Sequence, residues 1–271
     1  MWAALVSVLA LGLALGGPRD GLAQGASKQQ VVELMMLSGA NRALERVTDL
    51  YLPMLELSRD KMPQAVHKGL KNLMLRAFDP RRLNAQYVAA LQAGLDEKLL
   101  MASSEWLKSP LGLRLTRLEV EASTEEGRKR METWSKRLGG IPPLRTRFEL
   151  MLRLVHATNG AVVAAETEVI VKEPIIQTLN ATAPEKERQT PERMFAKLVK
   201  MRDELLDKKA QLLVTQMLYT YRDVSDDELR RYVVFLESQT GRQYTDRANA
   251  AMLAALRESN DWIAARFHQL F

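Results

Sequence analysis

The sequence predicts an all-α protein built from two tandem, related helical modules. Three observations carry that expectation. Apolar residues recur at helical spacing along nearly the whole chain, and no run of β-branched residues alternates with period two. A short motif recurs: Trp106-Leu107-Lys108-Ser109-Pro110-Leu111-Gly112 returns 129 residues later as Phe235-Leu236-Glu237-Ser238-Gln239-Thr240-Gly241. Extended to Thr116 and Thr245, this register holds four identities in eleven positions. Finally, Leu138-Gly139-Gly140-Ile141-Pro142-Pro143 cannot continue a helix and reads as the boundary between modules. A recurring unit has to be recognised before single residues are interpreted, because such units bury their apolar faces against one another.

The elements follow in order. Trp2 to Gly16 is an apolar run of fifteen residues, followed by Gly17-Pro18 and Gly21-Leu22-Ala23-Gln24. This reads as the core and cleavage region of a signal peptide over residues 1–24, although no Lys or Arg precedes the run. A spanning helix needs roughly 20 apolar residues. Export to a bacterial periplasm is therefore expected, with an uncleaved anchor as the alternative. The first module covers residues 25–139 and the second 140–271. Ser27 caps a helix with the stripe Val31, Leu34, Met35 and Leu37, stopped by Gly39. Ala40 to Leu57 continues as a helix that Pro53 should kink. Pro63 opens a third helix, ending near Phe78 because Asp79-Pro80 disfavours continuation. One long helix is expected from Arg82 to Lys108, then another along Leu111, Leu115, Leu118 and Ala122.

The second module begins at Leu144, where Glu149-Leu150-Met151 echoes Glu33-Leu34-Met35 at an offset of 116. The two offsets differ by 13 residues, and the segment from Asn180 to Pro191 has the length and composition of an inserted loop. Val162-Val163 and Val169-Ile170-Val171 read as buried helix. Thr190-Pro191-Glu192 opens a helix running to about Tyr221, with its acid on the positive end of the dipole. Ser225 caps the next, with the stripe Leu229, Tyr232, Val233 and Leu236. Thr240 to Phe271 is expected to be helical throughout.

Within the repeated motif, Ser109 is placed to cap a helix with Pro110 at its first position, which puts Gly112 in the first turn. Glycine there costs up to about 1 kcal/mol against alanine. Its recurrence implies that another backbone or an aromatic ring occupies the space of a side chain. The second copy has Gln239 in place of the proline, which predicts a softer corner or a continuous helix. The motif residues Trp106, Ser109, Pro110, Gly112, Phe235, Ser238 and Gly241 are thus read as structural.

These same residues resemble a family signature. The segments Trp106 to Gly112 and Glu228-Leu229 through Gly241 are similar to a helix of the form E-L-x-x-x-x-x-F-Y-x-S-P-x-G-x-K. That signature is found in exported bacterial proteins catalogued as domain of unknown function 2059. Val32-Glu33-Leu34-Met35-Met36-Leu37-Ser38-Gly39 resembles the start of the same domain. The sequence departs from it at Leu107 and Leu236, where tyrosine is usual, and at Gln239, where proline is expected. The resemblance implies an all-helical envelope domain and supplies no catalytic residue.

Composition narrows the chemistry. The 271 residues are 46% hydrophobic and 27% charged, which suits a folded core and not a disordered chain. Cysteine is absent, which removes thiol catalysis, cysteine zinc sites and a lipid-bearing cysteine. The net charge of +6 is spread along helical faces, so no nucleic-acid partner is expected. The runs Arg81-Arg82 and Arg128-Lys129-Arg130 read as solvated helix surface, or alternatively as a patch for acidic envelope polymers or lipid headgroups. Peripheral contact with a membrane is compatible with that alternative.

No metal or cofactor is expected. His67, His156 and His268 share no helical ligand spacing. Glu119/Glu121, Glu125/Glu126 and Glu166/Glu168 point to different helix faces. Ser58-Arg59-Asp60-Lys61 matches Ser-x-x-Lys without its companion motifs. The thirteen methionines, among them Met35, Met36, Met54, Met74, Met101, Met151, Met194, Met201 and Met217, fill helical cores or line a plastic apolar groove. The functional expectation is a non-catalytic envelope protein that binds a partner protein or an apolar ligand. The alternative is a hydrolase of an envelope polymer using Ser and Glu residues assembled by the fold.

Overall fold

The computed structural model describes residues 26–137 and 145–271, and every regular element among them is helical. The expected leader and the Gly/Pro-rich boundary at 138–143 lie outside those residues. The chain runs through α1 (Lys28–Leu37), α2 (Ala40–Glu45), α3 (Thr48–Leu57), α4 (Gln64–Ala77), α5 (Pro80–Gly94), α6 (Glu97–Lys108), α7 (Pro110–Ser123) and α8 (Glu125–Arg137). It continues through α9 (Arg145–Ala157), α10 (Gly160–Thr182), α11 (Pro191–Thr220), α12 (Asp226–Glu237) and α13 (Gln239–Ala264), then a 3-10 turn at Phe267–Leu270.

Local chemistry sets most of these boundaries. Ser27 and Ser225 form capping boxes with Gln30 and Glu228. Asp79 and Thr190 cap helices that carry proline at their first position. Three expectations need correction. The helix after Gly39 breaks at Arg46-Val47 and not at Pro53, which sits inside α3. The single helix expected from Arg82 to Lys108 is two, because Asp96 turns extended and accepts a hydrogen bond from the Leu99 amide at 2.7 Å, starting α6 afresh. The C-terminal helix stops at Ala264, and the chain folds back so that Leu270 is buried beside Gly69.

The α10–α11 connection is shorter than expected, since α10 runs on to Thr182. The remaining loop is closed by Asn180, whose side chain donates to the Gln189 carbonyl at 3.0 Å and accepts from the Gln189 amide at 2.8 Å. Pro174 lies inside α10 without breaking it. A proline leaves the carbonyl four residues earlier without its helical donor, and here that carbonyl, Ile170 O, accepts from Asn260 Nδ2 of α13 at 2.7 Å.

Among the described residues two apolar cores form, and they do not coincide with residues 25–139 and 140–271. The first gathers α1 to α6 with Ile170, Val171 and Ile175 of α10 and with Tyr244, Ala251, Ala255, Leu256 and Ile263 of α13. The second gathers α9, the end of α11, Tyr221, Val224 and α12 with Leu115 of α7. The helix that follows each motif therefore packs into the other half: α13 lies along α5, and α7 lies against α11. The proposed boundary near 139 separates two stretches of sequence, but neither stretch closes its core alone.

Candidate functional site

The two motif copies make the same corner. Ser109 and Ser238 are both extended, at φ −63° ψ 154° and φ −67° ψ 162°, and each caps the following helix. Their hydroxyls accept from the Gly112 and Gly241 amides at 3.1 and 3.0 Å. The second corner is as sharp as the first, so proline is not what makes it. The glycines face the preceding helix. A Cβ on Gly112 would lie 2.3 Å from Trp106 O, and one on Gly241 would lie 2.0 Å from Phe235 O. The occupant of the missing side-chain space is thus the last-turn carbonyl of the chain's own previous helix.

This corner occurs a third time. Thr124 caps α8, its hydroxyl accepts from the Gly127 amide at 3.0 Å, and a Cβ on Gly127 would lie 2.2 Å from Glu121 O. Ser/Thr-x-x-Gly is therefore a local device for a tight helix–helix corner, and it does not by itself mark a duplicated unit. The aromatic residue before it is what distinguishes Trp106 and Phe235.

Those two aromatics meet. Trp106 stacks on Phe235 with centroids 4.4 Å apart and on Tyr232 at 6.2 Å, while Tyr221 meets Tyr232 edge-on at 6.3 Å. Beneath the cluster, Glu119 Oε1 accepts from Tyr221 OH at 2.6 Å and from Tyr232 OH at 3.2 Å. Burial raises the Glu119 carboxyl above the usual carboxylate range, while the two phenol donors pull the other way. Burial, followed by the Glu119 charge, pushes both phenols well above their ordinary value. Among the described residues Glu119 forms no ion pair. Glu119 and Glu121 do lie on different helix faces: Glu119 turns to the two tyrosines, and Glu121 pairs with Arg130.

An open groove of about 540 Å³ lies between α9, α10 and α12, lined by Leu152, Val155, Ala161 and Val162. Arg153 spans its rim to Glu237 with two hydrogen bonds, at 2.6 and 3.0 Å, and His156 stands beside them. Its floor exists because α9 is apolar on two faces. Leu150, Met151 and Leu154 are buried in the second core, whereas Phe148 and Leu152, one turn apart, remain 41% and 45% exposed. The spacing of Phe148 and Leu152 was the available signal for the second face.

The remaining candidates disperse. Ser58 donates to Met54 O, and the Ser109 and Ser238 hydroxyls are engaged in capping, so these serines bond to backbone and not to a base. His67 is buried against Leu55 O. Glu125 pairs with Lys129, Glu166 with Arg257, and Glu168 sits between Lys172 and Lys209. Met35, Met74, Met151 and Met194 are buried in the protein, while Met36 and Met101 are exposed on α1 and α6. No helix among the described residues is long and apolar enough to cross a membrane. Compared with models of known families, with curated proteins and with solved structures, the chain matches none of them.

Proposed function

We propose that this chain is a non-catalytic binding protein of the bacterial cell envelope, and that the groove of α9, α10 and α12 receives the apolar face of a helix from a partner protein. The exposed Leu152 and Val162 beside Val155 and Ala161 in the groove, with exposed Phe148 one turn before Leu152 on α9, are the observation that carries this reading. A helix offering apolar anchors one turn apart fits such a strip, and the Arg153–Glu237 rim supplies polar contacts around it. An open floor suits a helix better than a small molecule, which is usually largely enclosed. The resemblance of Trp106 to Gly112 and Phe235 to Gly241 to an exported helical family is the support for an envelope location. The proposed modules are two related units that have exchanged their last helices, with Trp106 and Phe235 as equivalent positions.

A photo-crosslinking residue at Leu152, in cells that make the protein, tests the groove. One defined adduct is expected, lost on Val162→Asp and missing when the crosslinker stands at Lys200. Equal crosslinking from both positions, or an adduct that survives Val162→Asp, would count against the groove.

A further inference from the structure

We propose that Arg82 and Arg266, gathered around Trp262, form a binding site for a phosphate group. The site lies on α5 and at the end of α13, helices that do not line the groove, so it is independent of the function proposed above. The guanidinium carbons of Arg82 and Arg266 lie 5.1 and 3.9 Å from the Trp262 ring centroid. Two full positive charges thus share one indole, and among the described residues neither forms an ion pair. Arg266 donates to Trp262 O at 3.1 Å, which suits a cation at the C-terminal end of a helix.

Arg82 has no comparable reason to be where it is. It stands in the first turn of α5, where the helix dipole disfavours a cation. The nearby Asp79 carboxylate is taken up by the Arg81 and Arg82 backbone amides. Arg82 Nε is buried without a hydrogen-bond partner, and an unmet buried donor is destabilising.

The other basic run makes the contrast. Arg128, Lys129 and Arg130 are each matched to a carboxylate, Asp49, Glu125 and Glu121. Arg82 has no ion pair among the described residues, and a neighbouring cation adds to the local positive potential. A phosphate would offset both charges and match the planar fork of a guanidinium through its terminal nitrogens. Phe271 is 66% exposed and packs on Phe267, just beyond Arg266. The phosphate could therefore belong to a lipid headgroup or to a soluble molecule, and the experiment separates the two.

In the full-length chain, phenylglyoxal modification of individual arginines is followed by mass spectrometry. Inorganic phosphate should slow modification of Arg82 and Arg266 severalfold relative to chloride at equal ionic strength, and leave the exposed Arg117 unaffected. Vesicles of phosphatidylcholine containing phosphatidic acid form the second arm. Protection by these vesicles beyond that given by matched free phosphate assigns the site to a lipid headgroup, and protection by phosphate alone assigns it to a soluble ligand. Arg82→Gln should abolish the protection of Arg266, and Arg82→Lys should restore part of it. The wild-type measurement needs no variant to fold. No protection of either arginine in both arms, or equal protection of Arg117, overturns the site.

Discussion

Trp106 and Phe235, which hold the same place in two copies of one motif, stack on each other with their ring planes 9° from parallel. Trp106 packs against the first core and Phe235 against the second, so the pair fastens the two cores together. Equivalent residues touch one another where two like units are related by an approximate twofold axis. That is the arrangement expected of the proposed pair of units with exchanged last helices. Removing the stack by Trp106→Ala should therefore cost about 3–5 kcal/mol. Phe235→Ala should then add little to that loss, a non-additivity that a double-mutant cycle would detect.

Glu119→Gln should stabilise the protein at neutral pH. Burial raises the folded-state pKa of Glu119 above its unfolded value. Between those two values the native state keeps a proton that the unfolded chain has lost. Stability is then greatest below the ordinary carboxylate range and falls as pH rises through the folded-state value. The glutamine keeps an acceptor for the two phenols without this penalty. The gain in Tm should grow from acid to neutral pH, and a gain independent of pH would mean that Glu119 ionises freely in place.

Glycine replacement should rank by what the new Cβ meets. Gly112→Ala, Gly127→Ala and Gly241→Ala each place it against a backbone carbonyl, and each should cost about 1–3 kcal/mol. Gly69→Ala meets only the end of the Leu270 side chain, which can shift, and should cost less. Equal losses at all four positions in denaturant titrations would contradict the corner account.

Gln239→Pro should be tolerated. Gln239 is the first residue of α13, the place that Pro110 holds in α7, and Ser238 already has the extended backbone that a following proline favours. A gain of about 0.4–1 kcal/mol is expected from the restricted unfolded chain. A loss would show that the two corners differ more than their dihedral angles indicate.

The α10–α11 loop should be nicked first by trypsin, at Lys186 or Arg188, both exposed. Replacing residues 184–188 with a shorter turn should leave helix content and Tm nearly unchanged, since loop-closure cost varies slowly with length. Asn180→Ala, which opens the clasp on Gln189, should cost more than that deletion. The reverse order would mean that the loop itself is packed.

The chain halves also share a left-handed corner, whose register differs from that of the Glu33-Leu34-Met35 echo. Gly39 and Asn159 both take the left-handed backbone, at φ 73° and 53°, two residues after α1 ends at Leu37 and α9 at Ala157. Their burial pairs Val31, Leu34 and Met35 with Met151, Leu154 and Val155. That register is an offset of 120, about one helical turn from the 116 suggested by Glu33-Leu34-Met35. An amphipathic helix looks alike after each turn, so a three-residue match could not separate the two.

What the sequence determined by itself was local. Helical periodicity, the caps at Ser27, Ser109 and Ser225, and the prolines at helix starts act through bonds within a few residues, and they are legible wherever they occur. The break at Asp96 is legible too, from Gly94 and an acid before Glu97. Tertiary structure alone decided which half each helix joins, that Trp106 meets Phe235, that Glu119 turns inward to two tyrosines, and that Arg82 reaches Trp262. Each joins residues more than a hundred positions apart, and a helix face that must be buried does not specify what buries it. The second apolar face of α9 shows the same limit: its residues are plain in the sequence, but only the packing of α10 and α12 leaves Phe148 and Leu152 uncovered.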